Sequence, residues 1–234
     1  MNSKFSKQDI ATAIAILFHT VGVIGILVFK SEMIIRSTSL NLILCFLLLL
    51  WTQENKNIFF WLFALITLLT GFAVEVIGVN TGLIFGDYNY GNVLGIKWKQ
   101  VPLVIGINWF IVLYCSGVSV TALLQRIINP VRPGQSDRVE IPQPPPALKA
   151  ISVISDGATL AVIFDWLIEP VAAKLGFWQW KGSDVPLYNY VCWFAISLLL
   201  MMLFRFSPFE KRNKFAIHLL LIQAMFFLIL RTFL

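Results

Sequence analysis

Residues 71–91 read GFAVEVIGVNTGLIFGDYNYG, residues 165–182 read DWLIEPVAAKLGFWQWKG, and the two stretches share one spacing. Each sets a carboxylic acid, Glu75 or Asp165, inside an apolar run. A glycine follows at +11 (Gly86, Gly176) and aromatic residues at +13 and +15 (Tyr88 and Tyr90, Trp178 and Trp180). Further on, each stretch reaches a Pro-Leu pair and, seven residues after the proline, a tryptophan: Pro102 to Trp109, then Pro186 to Trp193. Ionisable groups inside a bilayer are costly and mark functional positions, so a duplicated acid predicts a paired site.

Composition supplies the bilayer. Of 234 residues, 58% are hydrophobic and 13% charged, with a mean hydropathy of +0.81. That excludes an ordinary soluble domain and defines a polytopic membrane protein. Apolar windows of about 20 residues, the length that spans a bilayer, predict seven helices at 9–29, 33–51, 58–85, 102–125, 148–173, 187–206 and 215–233. The expected fold is all-α, a single integral-membrane bundle over residues 1–234. It contains an internal parallel repeat, helices three and four matching five and six, in units of about 58–125 and 148–206. Between the units, residues 126–147 hold six of the ten prolines, which predicts an extended cytoplasmic linker. Lys30 and Glu32 follow the first span where a cleavage site would need small residues, so that span is expected to be an uncleaved helix.

Eleven Lys and Arg fall on the amino-terminal side of these spans and seven on the other. The positive-inside rule then predicts a cytoplasmic amino terminus in the cell's inner membrane, with both aromatic loops outside. Helices three and five both run outward, so the repeat axis is expected along the membrane normal. The net charge of +6 gathers at membrane-flanking positions, where it suits anionic headgroups; nucleic acid is not implied. Eleven residues of helix at 1.5 Å each place Glu75 and Asp165 alike about 16 Å below Gly86 and Gly176. Gly71, Gly78 and Gly82 share the Glu75 face and admit a helix or a flat ligand. Asp165 and Glu169, four apart, share one face, and Pro170 is expected to open the helix beside them.

The remaining polar residues carry less. Cys45, Cys115 and Cys192 lie inside spans without a CxxC spacing. His19 and His218 have no second ligand at i+3 or i+4, so no metal site is expected. The last span has no lysine for a retinal Schiff base. Asp156 belongs near the cytoplasmic boundary and Asp87 near the external one. Each buried acid has a plainer reading as a tie between helices, and each aromatic loop one as an interfacial belt. The two-residue spacing of the aromatics favours a roof over a cavity, because alternate residues of an extended segment face one way. Asn108 and Asn189 stand near the two tryptophans at unmatched offsets, where they hold water or a helix contact.

The strings FAVEVIGVNTGLIFGDYNYG, VPLVIGINWF, DWLIEPVAAKLGFWQW and VPLYNYVCWF resemble the integral-membrane carotenoid biosynthesis family that includes the carotenoid 1,2-hydratases of the CruF type. The resemblance runs over about residues 71–205. It implies a hydro-lyase, working without a cofactor, that adds water to the terminal C1–C2 double bond of an acyclic ψ end group and leaves a tertiary alcohol. The implied partners are a carotenoid, water, the lipid bilayer and other enzymes of the pathway. Such chemistry needs a proton donor, and a carboxyl shielded from water can keep a proton to give. The cation left at C1 is stabilised by a second carboxylate and by Trp or Tyr faces. On this reading Asp165 is the acid, with Glu169 or Glu75 positioning water or stabilising the cation. Trp178, Trp180, Tyr88 and Tyr90 face the cation, Trp109 and Trp193 touch the polyene, and Asn189 completes the substrate-binding set. Two alternatives stay open: an end-group cyclase, which shares the protonation but needs a dry pocket, and a non-enzymatic lipid or carotenoid transporter.

Overall fold

The computed structural model describes residues 5–129, 143–182 and 184–234; positions 130–142 of the expected linker lie outside them. The described residues form helices α1 (Lys7–Leu27), α2 (Glu32–Arg36), α3 (Thr38–Thr52), α4 (Ile58–Thr81), α5 (Val104–Ile128), α6 (Pro146–Lys174), α7 (Leu187–Phe206) and α8 (Lys214–Phe233). Four short strands, β1 (Tyr88–Tyr90), β2 (Lys97–Trp98), β3 (Val101–Pro102) and β4 (Trp178–Trp180), fill the connections at one end. Six helices are long and apolar enough to cross a membrane, α3 being the shorter apolar one. Their outward faces carry Leu17, Leu47, Leu65, Leu69, Ile163 and Leu199 in the open, as a lipid surround requires.

The second expected span is the one that changes. It breaks at Ser37 into the five residues of α2 and the fifteen of α3. Ser37 Oγ donates to the Ile34 carbonyl and Thr38 Oγ1 to the Ile35 carbonyl, both at 2.7 Å. Such local bonds compete with a continuous helix. At 1.5 Å per residue α3 is about 22 Å long, and the chain ahead of α2 folds back on α1, where Ser31 N–H donates to the Gly25 carbonyl at 3.0 Å.

Contacts at the two ends fix the path of the chain. At one end Asp9 lies 3.9 Å from Lys214, Gln53 Nε2 donates to the Glu210 carbonyl and Asn57 Nδ2 to the Pro208 carbonyl, both at 2.7 Å. At the other end β1 pairs antiparallel with β4. Among the described residues, α4 and α6 therefore both end, and α5 and α7 both begin, at the strand-bearing end. Helix α5 stands in the middle: Trp109 to Val118 are buried without interruption, and a helix apolar all round belongs in the interior.

Candidate functional site

Helix α4 ends at Thr81, four residues short of its expected limit, because Gly82 takes the left-handed conformation that closes a helix (φ +68°). Glu75 is therefore six residues, or about 9 Å, from the helix end, shallower than the count from Gly86 implied. Gly82 acts as a terminator, where the sequence suggested a packing glycine.

This end also changes which residues correspond. Helix α6 ends beside Gly176, likewise left-handed at φ +72°. Seven residues before each of these glycines stands a glutamate, Glu75 on α4 and Glu169 on α6. The gapless match that paired Glu75 with Asp165 is displaced by Leu83–Gly86, four residues that the first loop has and the second lacks. Counted from the helix ends, Asp165 matches Gly71, and it is the third, unduplicated acid.

The hydrogen bonds follow the helix count. Tyr88 and Tyr90 donate their hydroxyls to Glu75 Oε2 at 2.5 and 2.7 Å, and Trp109 Nε1 donates to Oε1 at 3.0 Å. Trp178 Nε1 and Trp180 Nε1 both donate to Glu169 Oε2 at 2.9 Å. Asn189 Nδ2 reaches Asp165 Oδ2 at 3.0 Å and Glu169 Oε1 at 3.5 Å. Among the described residues that is the only donor Asp165 has. All three acids and Asn189 are buried. Burial and the adjacent Glu75 push the Tyr88 and Tyr90 hydroxyls up, so both remain O–H donors at any ordinary pH.

The roof explains how these donors are aimed. In the β1–β4 pair Tyr88 faces Trp180 and Tyr90 faces Trp178, with ring centroids 5.0 and 5.9 Å apart. Every second residue of an extended strand faces one way, so four aromatic donors point down at two glutamates. Outside the pair, Lys181 Nζ meets Asp87 at 3.1 Å, with both side chains exposed. Trp109 and Trp193 stack at 3.7 Å between centroids and 3° between planes. Trp109 was expected against a polyene. It is instead wholly buried, lying flat on α4 where Gly71 leaves room, and it serves Glu75. Nor does Pro170 open its helix. α6 runs through it, and the Trp166 carbonyl, which loses its partner four residues on, accepts from Arg231 Nη1 at 3.2 Å. The Arg231 guanidinium lies 3.8 Å over the Trp166 ring.

The three carboxyls, Asn108, Asn189 and the roof line a cavity of about 30 Å³, more than the roughly 10–15 Å³ that one water needs. Beside it runs an apolar groove of about 190 Å³ between α1, α2, α3, α5, α6 and α8. Ile105, Asn108, Ile168 and Trp178 line both spaces, so they adjoin. Phe18 and Val21, each about half exposed, stand in the groove wall toward lipid (49% and 47%). A cavity of roughly 150 Å³ takes a benzene ring, so the groove has room for an end group. Phe85 in the cavity and His19, Asn41 and Gln223 in the groove carried no signal in the sequence, because scattered residues of distant helices have no common spacing.

Fold and site together define a class: a multi-pass helical membrane protein whose buried carboxyls face a small cavity beneath an aromatic roof. The chain belongs to the carotenoid biosynthesis protein family, whose sequence profile matches residues 14–234. No curated protein and no solved structure matches it.

Proposed function

We propose that the protein adds water to the terminal C1–C2 double bond of an acyclic carotenoid end group. The observation that carries this reading is the adjacency of the two spaces: a polar cavity with room for a water against an apolar groove that opens toward lipid, with Asn108 in both walls. The alkene end lies in the groove and the water in the cavity. Asp165 gives its proton to C2, the tertiary cation at C1 faces the Trp178 and Trp193 rings, and the water oxygen bonds to C1. The water's surplus proton passes to the Asp165 carboxylate, directly or by way of Glu169, so the acid is restored and the net change is one water gained. Asp165 is the donor on its hydrogen bonds. N–H and O–H groups aimed at a carboxylate favour its charged form. Glu75 receives three such groups and Asp165 one. Glu169 and Asn189 hold the water.

The same reading takes residues 58–125 and 148–206 as two units of one duplicated domain, related by a two-fold axis along the membrane normal. The pairs Tyr88–Trp180 and Tyr90–Trp178, which a two-fold exchanges, and the stack of Trp109 on its own counterpart Trp193 support it, since under a two-fold every contact of one unit recurs with the roles reversed. The amino terminus faces the cytoplasm of a cell whose inner membrane holds the bundle.

Expression in a host that accumulates lycopene or γ-carotene, followed by mass analysis of the pigments, tests the proposal. A product heavier by one water is the expected result. An isomer of equal mass identifies a cyclase, and unchanged pigment with inserted protein points to transport.

A further inference from the structure

The groove is walled mostly by hydrocarbon, yet polar side chains line it with bonding capacity unspent. His19 and Gln223 are each only 5% exposed. His19 Nδ1 is 2.7 Å from the Ala15 carbonyl oxygen. A carbonyl only accepts, so Nδ1 carries the proton, and Nε2 of the neutral ring is left as an acceptor. The Gln223 amide has no hydrogen-bond partner among the described residues, and it lies one turn before Phe226, whose ring meets His19 edge-on at 5.4 Å. Half-buried Asn41 is met among the described residues by Cys45 Sγ alone, at 4.0 Å. Buried polar groups in native proteins almost always have partners, so buried His19 and Gln223 call for one that the described residues do not supply. A hydrocarbon would satisfy none of them.

We infer that the groove is a binding site for the hydroxyl end of an otherwise apolar molecule: the hydroxyl donates to His19 Nε2, and its oxygen accepts from the Gln223 amide. The site therefore prefers an alcohol to the alkene of the same skeleton. The identity of that alcohol rests on the hydration reading, under which it is the tertiary alcohol formed where the cavity and the groove meet, held along the groove as it leaves. Water in the groove would offer the same hydroxyl chemistry, and the test must separate the two.

The full-length protein in nanodiscs is titrated with 2-methylheptan-2-ol and with 2-methylhept-2-ene, followed by tryptophan fluorescence, since Trp178 lines the groove, and corrected for lipid partitioning. Nitrogen-15 resonances of labelled histidine report on Nε2. The alcohol binds about fivefold more tightly than the alkene, the size of effect expected for a neutral hydrogen bond. His19→Phe and Gln223→Met each abolish most of that preference, read as the ratio of alcohol to alkene affinity within each variant. The His19 Nε2 resonance moves on adding alcohol alone. Equal binding of the two probes overturns the inference, as does a preference that survives both variants. An Nε2 resonance already hydrogen-bonded and unmoved by alcohol assigns the groove to water and overturns it too. Should His19→Phe fail to insert, Gln223→Met, which keeps length and volume, decides alone. Pigment analysis stays independent: an alcohol preference without hydrated pigment removes the hydratase reading and leaves the groove site standing, and hydrated pigment without the preference does the reverse.

Discussion

Gly71→Ala adds one methyl group to α4, and its effect can be worked from the indole it meets. A β-carbon built at Gly71 would stand 2.3 Å from Trp109 Cγ and 2.4 Å from its Cβ. Carbon atoms pack at about 3.5–4.0 Å, so the ring must retreat by more than about 1 Å. It has nowhere to go: Trp109 is 0% exposed, stacked on Trp193 at 3.7 Å and tied to Glu75 at 3.0 Å. Overpacking costs about 1–3 kcal/mol, and losing a hydrogen bond to a charged group about 1.5–3 kcal/mol. The opposing gain is the helix propensity of alanine over glycine, about 1 kcal/mol. The net is a loss of about 1.5–5 kcal/mol, which lowers Tm by roughly 3–20 °C for a chain of this size. Thermal unfolding of the purified protein in detergent measures it. Pairing Gly71→Ala with Trp109→Leu should recover part of the loss, because the smaller side chain vacates the space. A Gly71→Ala variant as stable as the parent, or more so, would show that helix propensity wins and that the Trp109 position is wrong.

Three further outcomes follow from particular contacts. Tyr88→Phe and Tyr90→Phe each take one O–H from Glu75, at about 1–3 kcal/mol, and a double-mutant cycle should give a coupling beyond additivity; strictly additive losses would mean that the two hydroxyls do not share one acceptor. Arg231→Leu leaves the Trp166 carbonyl unpaired beside Pro170 and removes the stacked guanidinium, a loss of about 1–2 kcal/mol, and Arg231→Lys should restore only part of it for want of a planar fork; full recovery with lysine would refute the stack. Lys211, in the loop between α7 and α8, is pushed down by burial, and by the like charge of Arg205, from 10.5 to about 8. Between those values the unfolded chain holds the proton that the folded one has lost, so stability rises with pH from about 8 toward 10.5 and is level below; Lys211→Met should flatten the rise in melting curves taken across that window, and an unchanged slope would remove Lys211 as its cause.

The crossings and the acids were legible because the physics behind them is local. An apolar window of fixed length marks a pass, and Glu75, Asp165 and Glu169 stand out against hydrocarbon whatever their neighbours do. The aromatic spacing likewise foretold a roof, though its antiparallel register joins segments about 90 residues apart, which no local rule encodes. What escaped was the phase. Leu83–Gly86 insert one turn's worth of residues between helix and roof, so the gapless match in the sequence joins Glu75 to Asp165, whereas the count from the helix ends joins it to Glu169. The helix end at Gly82 decides this, and a glycine in VNTGLIFG could be read as a stop or as a packing face until its φ is known. The break at Ser37 turned on two hydroxyls bonding backward. Trp109 was misjudged because its partner, Gly71, is an absence of side chain on another helix. The groove's His19 and Gln223 come from opposite ends of the chain.

On the proposed hydration, Asp165 gives the proton. Asp165→Asn keeps the size and the Asn189 neighbour but has no acid proton, so membranes holding equal amounts of protein should make less hydrated carotenoid by at least the roughly 10²- to 10⁴-fold that a general acid contributes. Mass analysis of pigments from the lycopene- or γ-carotene-accumulating host measures it directly. In Asp165→Asn the pigment heavier by one water should disappear while the protein still accumulates in the membrane; hydration at the parent rate would rule out Asp165 as donor and pass the role to Glu75 or Glu169.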